Sequence, residues 1–142
     1  MAYNILIVDD STPMRALIKK VVKASGFDVG EFFEASNGKE ACQVLDDAWL
    51  DLVLTDYNMP EMNGLELLEA MQQDETLKAV PVVMITTEGS QQRIEAFLAK
   101  GAADYIKKPF TPSDIKQKLS AIMGEIPDGQ DDIDNGDEDL DF

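Results

Sequence analysis

Five short apolar runs divide the chain, and each is followed by residues with helical spacing. Residues 4–8 are mostly apolar and β-branched, without alternation, which predicts a strand covered on both faces, as in a parallel sheet. Thr12 and Pro13 read as a helix start, with Thr12 as N-cap and Pro13 at the first helical position. Met14, Leu17, Ile18, Val21 and Val22 then fall on one apolar face, and Gly26 ends the helix. Residues 32–35 are a weaker strand, placed nearer a sheet edge. Asn37-Gly38 leads into a second helix, with Ala41, Val44, Leu45 and Ala48 on its inner stripe and Cys42 and Trp49 beside it, packed or partly exposed.

Residues 52–56 form the third predicted strand, and the turn-rich stretch 59–64 leads to a helix with Leu67, Leu68 and Met71 inward. Residues 82–86 form the fourth strand, followed by a helix carrying Ile94, Phe97 and Leu98 and capped by Gly101. Residues 104–107 form the fifth, and Thr111-Pro112-Ser113-Asp114 opens a last helix with Ile115, Leu119, Ile122 and Met123 inward. Strict β-α alternation with short connections implies an α/β, doubly wound fold: a parallel sheet, helices on both faces and right-handed crossovers. In such sheets the functional crevice lies at the carboxyl ends of the strands.

Charge changes the picture at the C-terminus. The 142 residues carry 12 bases and 28 acids, a net of −16, and residues 125–142 hold nine of those acids and no base. The expected organisation is one domain over 1–124 and an acidic, flexible tail over 125–142, where Ile133, Leu140 and Phe142 are spaced as docking punctuation. Neither part suits nucleic-acid backbone binding, which needs clustered Lys and Arg. With no histidine and only Cys42, disulfide, cysteine-zinc and Ser/His chemistry drop out. No apolar run approaches a membrane span and the N-terminus has no basic leader, so a cytoplasmic place is expected by default.

The chemistry collects at the strand ends. Strand one delivers Asp9 and Asp10, strand three Asp56, strand four Thr86 and strand five Lys108. Three carboxylates within about 4–5 Å would repel by roughly 3–4 kcal/mol per pair at an effective dielectric near 20. Lys108 would cancel one charge and a divalent cation the other two. An oxygen-only donor set suits Mg²⁺ or Mn²⁺ and not Zn²⁺. Phosphoryl chemistry is the natural use of such a site, with Asp56 as nucleophile, Lys108 and the ion stabilising charge, and Thr86 donating a hydrogen bond.

Four stretches in order give the chain a resemblance to response-regulator receiver domains, most like the single-domain CheY type. They are I-L-I-V-D-D-S-T-P-M-R (5–15), L-T-D-Y-N-M-P-E-M-N-G (54–64), M-I-T-T-E (84–88) and G-A-A-D-Y-I-K-K-P-F (101–110). The resemblance spans residues 4–123. It implies a (βα)5 flavodoxin-like fold with strand order 2-1-3-4-5. It implies Asp56 as phosphoacceptor and a metal held by Asp9, Asp10, Asp56 and the backbone carbonyl of Asn58. Lys108 would contact the phosphoryl group, before a cis bond to Pro109. Thr86 and Tyr105 would form the switch, and Asn58 and Glu88 would tune the hydrolytic water toward a short-lived phosphoryl group. Tyr57 stands where CheY has a tryptophan.

The functional expectation is a chemotaxis-type phosphorelay protein. It takes its phosphoryl group from a CheA-like histidine kinase, catalyses its own Mg-dependent phosphorylation and dephosphorylation, and acts as a monomer. Its output face would be the fourth helix, fifth strand and fifth helix, with Lys100, Lys107, Lys116 and Lys118, offered to a flagellar switch component or a phosphatase. The alternative is a phosphate sink or relay intermediate with no output partner. A flavodoxin-type cofactor binder would need a phosphate-cradling loop after strand one, where Asp9 and Asp10 would repel it. A non-phosphorylated scaffold would not need the full set of Asp9, Asp10, Asp56, Thr86 and Lys108.

Overall fold

The computed structural model describes residues 2–87 and 91–124, so the expectations placed on Glu88 and on residues 125–142 lie outside the described residues. Five parallel strands form one sheet: β1 (Tyr3–Val8), β2 (Val29–Ala35), β3 (Leu52–Thr55), β4 (Val82–Thr86) and β5 (Asp104–Lys107), in the order β2-β1-β3-β4-β5. The helices between and after them are α1 (Thr12–Ser25), α2 (Gly38–Asp47), α3 (Gly64–Gln72), α4 (Gln91–Ala99) and α5 (Pro112–Met123). A short 3-10 turn, Leu77–Ala79, which no periodicity announced, precedes β4.

The continuous apolar strands are explained by what covers them. Ile5, Ile7, Leu52, Leu54, Val83 and Ile85 face α1 and α5, where Ile18, Val22, Ile115 and Leu119 are buried. Leu6, Val8, Val53, Val82 and Met84 face the other layer, against Ala41, Leu45, Leu67, Leu68, Met71 and Phe97. Successive strand residues point to opposite faces, so a sheet covered on both sides leaves no polar alternation. Each fully buried aliphatic chain contributes about 1.5–3 kcal/mol, enough for these runs to dictate the sheet.

Several local expectations shift. The N-cap of α1 is Ser11, not Thr12: the Ser11 hydroxyl accepts the Met14 N–H at 3.1 Å, and Pro13 lies in the first turn. β2 begins at Val29, earlier than its apolar core, because backbone pairing with β1 carries the exposed Gly30 and Glu31 into an edge strand. Leu17 and Leu98, expected inside, are 45% and 42% exposed. Each is one position, about 100°, from the axis of a narrow buried stripe, Ile18/Val22 on α1 and Ile94/Phe97 on α4. Trp49 is 80% exposed and does not pack.

The β4 and β5 bounds stand as expected, as do the inward faces of α3 and the start of α5. Thr111 and Asp114 cap α5 reciprocally. Among the described residues no helix is long and apolar enough to cross a membrane.

Candidate functional site

Register brings the polar residues to one rim. Val8 pairs with Thr55, and the Asp56 N–H donates to the Val8 carbonyl at 2.9 Å, so Asp9 and Asp56 emerge side by side. The Asp9 N–H donates in turn to the Ala35 carbonyl at 3.1 Å. On the other side Thr86 pairs with Lys107, and the Lys108 N–H donates to the Thr86 carbonyl at 2.9 Å. Lys108 is followed by a cis bond to Pro109, as the resemblance implied.

One carboxylate oxygen from each of Asp9, Asp10 and Asp56 lies within 4.8 Å of the others. The Lys108 ammonium sits 3.5 Å from Asp9 Oδ2 and 3.7 Å from Asp56 Oδ1. Asp9 is 2% exposed, Asp56 half-buried and Asp10 exposed. Burial pushes the Asp56 carboxyl above its ordinary range. Lys108 and the Tyr57 N–H pull it back, while Asp9 and Asp10 push it further.

These oxygens suit a small hard cation. Mg²⁺ holds oxygen ligands at about 2.0–2.1 Å, so opposed ligands stand about 4.2 Å apart, a scale comparable to the spacing of these three oxygens. Three carboxylates and one ammonium leave two negative charges, which one divalent ion balances. Nitrogen and sulfur donors are missing from the cluster, which weighs against zinc.

The other expected residues sit around this cluster. Thr86 is buried at the end of β4. Asn58 is exposed in the loop two residues beyond Asp56. Tyr105 is half-buried on β5, opposite Met84, against the core layer that holds α2, α3 and α4. Of the four lysines expected on the output face, two are engaged: Lys100 with Glu69 at 3.0 Å and Lys118 with Asp104 at 3.1 Å. Lys107 and Lys116 are exposed.

Sequence reasoning assigned no role to several residues that build the site. Arg15 Nη1 donates to the Asp9 carbonyl at 2.6 Å, and its Nε donates to Glu34 Oε1 at 2.8 Å, which braces the Asp9 backbone from α1. The Ser11 N–H donates to Asp9 Oδ1 at 2.9 Å and aims that carboxylate. Gly64 allows α3 to start against the Asp56–Tyr57 backbone, its N–H donating to the Tyr57 carbonyl at 2.9 Å. Tyr57 itself packs on Phe97, ring centres 5.3 Å apart, under the Arg93 guanidinium at 4.5 Å. Arg15 at one helical turn from the Ser11 cap was the signal available; the remaining contacts need the tertiary fold.

Comparison with known proteins agrees with this geometry. The family model for the response regulator receiver domain matches residues 5–120. Chemotaxis protein CheY1 of Helicobacter pylori is 42% identical over 122 residues, which covers 85% of this chain and 97% of that protein. The solved structure of chemotaxis response regulator CheY4 of Vibrio cholerae superposes with a TM-score of 0.76 at 30% identity, over 86% of this chain and 99% of that one. That of the phosphorylated cyanobacterial phytochrome response regulator RcpA gives 0.71 at 27% identity, over 86% and 91%.

Proposed function

The chain belongs to the response regulator receiver family, and we propose that it is a single-domain response regulator that accepts a phosphoryl group on Asp56 from a histidine kinase. One observation carries this reading. Three carboxylates lie within 4.8 Å of one another, and one ammonium stands 3.5 and 3.7 Å from two of them. That one structural relative on this fold is phosphorylated supports the reading.

In the step assigned to the site, an Asp56 carboxylate oxygen attacks phosphorus. The new P–O bond forms as the P–N bond to the kinase imidazole breaks, and the electron pair leaves with that nitrogen. Lys108 offsets charge on the phosphoryl oxygens. Asp9, Asp10 and Asp56, with the backbone carbonyl of Asn58, are the residues that would hold Mg²⁺ or Mn²⁺. The bound ion supplies neutralisation of the site's excess negative charge.

Thr86 donates its hydroxyl to the phosphoryl group and Tyr105 turns inward, which alters the α4-β5-α5 face. Asn58 and Glu88 set access of the hydrolytic water. Residues 1–124 act as the receiver unit and 125–142 as an appended acidic segment. The chemotaxis naming of the relatives favours a CheA-like kinase upstream and a flagellar switch component or phosphatase downstream. The protein would work as a cytoplasmic monomer without nucleic acid.

Acetyl phosphate with Mg²⁺ should add one phosphoryl group by mass spectrometry, and neither Asp56→Asn nor a metal-free sample should gain it. Uptake by Asp56→Asn rejects the assignment. Binding of a flagellar switch protein with and without beryllofluoride then separates a switch, whose affinity changes, from a phosphate sink, whose affinity does not.

A further inference from the structure

The end of the sheet opposite the carboxylates presents a tryptophan to solvent. Trp49, between α2 and β3, is 80% exposed, the highest value among the large apolar side chains of the described residues. Its segment is pinned. Asn4 Nδ2 donates to the Trp49 carbonyl at 3.1 Å, the Asp51 N–H to the Asn4 carbonyl at 2.9 Å and the Asn4 N–H to Asp51 Oδ2 at 2.8 Å. Leu50, between them, is buried. The backbone that carries the indole is therefore ordered, not a loose loop.

Beside the indole runs a groove of about 760 Å³ with Leu77 and Val80 in its wall. Asp46, Asp47, Asp51 and Asp74 also line it, and none of its lining residues is a lysine or arginine. Lys78, next to the wall, is paired with Glu75 at 3.2 Å. An apolar trough with an acidic lining and an exposed aromatic side chain on an anchored backbone matches the way grooves take amphipathic helices.

We propose that this groove is a second protein-docking surface, whose occupant is a basic amphipathic segment with an apolar stripe against Trp49 and Lys or Arg toward the aspartates. Charge decides among the occupants. A second copy would set four aspartates against four more. The chain's own residues 125–142 carry nine acids and no base, and an acidic lining repels them as well. The groove lies at the end of the sheet opposite the carboxylate rim and meets the α4-β5-α5 face only at Met123, the last residue of α5, so its occupancy should not depend on the phosphorylation state.

The test is fluorescence anisotropy with the full chain and a dye-labelled helical peptide of leucine and lysine, beside its leucine–glutamate counterpart. The lysine peptide should bind saturably and equally with or without beryllofluoride, and the glutamate peptide should not bind. Trp49→Ala should weaken binding about tenfold, Trp49→Phe should restore much of it, and Asp46→Asn/Asp47→Asn should weaken it and flatten its salt dependence. The charge-matched pair Glu31→Gln/Glu95→Gln, exposed elsewhere, should leave it near the original value. Equal loss in both charge pairs, no effect of Trp49→Ala, or no saturable binding overturns the proposal. So does a Trp49-dependent dimer in sedimentation.

Discussion

The Lys118 ammonium lies 4.7 Å from the centre of the Tyr105 ring while its Nζ donates to Asp104 Oδ1 at 3.1 Å. Strand neighbours Asp104 and Tyr105 are thus held from α5 by one cation, and the inward turn proposed for Tyr105 would take the ring off that cation. A partly exposed cation–π contact contributes about 0.5–1 kcal/mol, which corresponds to roughly a two- to fivefold change in a two-state population. Lys118→Gln should therefore lower the beryllofluoride midpoint for the Tyr105 ring resonances by about that factor in NMR titration, and Lys118→Arg should keep it near the original. An unchanged midpoint in the glutamine variant would mean that the contact is equal in both states.

The carboxylate cluster should make the metal-free protein less stable than its Asp56→Asn variant. Two unit charges no more than 4.8 Å apart repel by about 3.5 kcal/mol or more at an effective dielectric near 20. Lys108 and the solvent around Asp10 recover part of this, which leaves a gain of about 1–2 kcal/mol, or roughly 3–6 °C in Tm. The sign of the pH dependence follows from the raised pKa of folded Asp56. Above its raised value the carboxyl is ionised in both states and penalises the folded one. As the pH falls through its raised value, the folded state takes up a proton first, and the penalty disappears by the ordinary carboxylate range. The gap between the two proteins should narrow with acid in thermal melts, and Mg²⁺ should raise the Tm of the wild type far more than that of the variant.

Gly64→Ala should damage the site without touching a charged group. A Cβ there would overlap the Asp56 carbonyl oxygen and come within 3.1 Å of the Tyr57 Cα, both backbone atoms that cannot swing aside. Overpacking of this kind costs about 1–3 kcal/mol. Denaturant unfolding should show that loss, and phosphoryl uptake from acetyl phosphate should slow because Asp56 has moved. A variant with native uptake would place the α3 start further from Asp56 than its contacts indicate.

Most of the sheet was legible because β1, β3 and β4 are buried on both faces, which turns each into a short unbroken apolar run, while the edge strands β2 and β5 carry exposed and charged residues and were legible only from the alternation around them. The carboxylates were legible for a related reason. Asp9 and Asp56 end such runs, and a charge at the mouth of a buried strand stands out. Strand order came from the resemblance, because periodicity carries no information about which strands are neighbours. Ser11 and Thr12 are adjacent hydroxyls of nearly equal capping power, and only backbone geometry chooses between them. Leu17 and Leu98 look like core by composition, but the width of a buried stripe is set by how closely the neighbouring elements approach. The brace of Arg15 on Asp9 depends on Glu34, 19 residues on across the α1–β2 turn. The Lys118–Tyr105 contact depends on α5 lying against β5. Each is a property of packing, not of local sequence.

Trp49 and Tyr57 stand at opposite ends of the sheet. Trp49 is the single tryptophan, and it sits in solvent at the amino ends of the strands, while the carboxylates gather at the carboxyl ends. Its emission should be insensitive to Mg²⁺ and to beryllofluoride. Tyr57 is placed differently: its N–H donates to Asp56 Oδ1 at 2.8 Å and its ring packs, tilted, against Phe97 beneath Arg93. A tryptophan at that position, in a Trp49→Phe/Tyr57→Trp background, should change its emission on metal addition and again on beryllofluoride. The added indole keeps the contacts with Phe97 and the guanidinium, so thermal stability should change by less than about 1.5 kcal/mol. If the new indole stays silent while the wild-type Trp49 responds, the two ends of the sheet are coupled, and the independence assigned to the Trp49 groove fails with it.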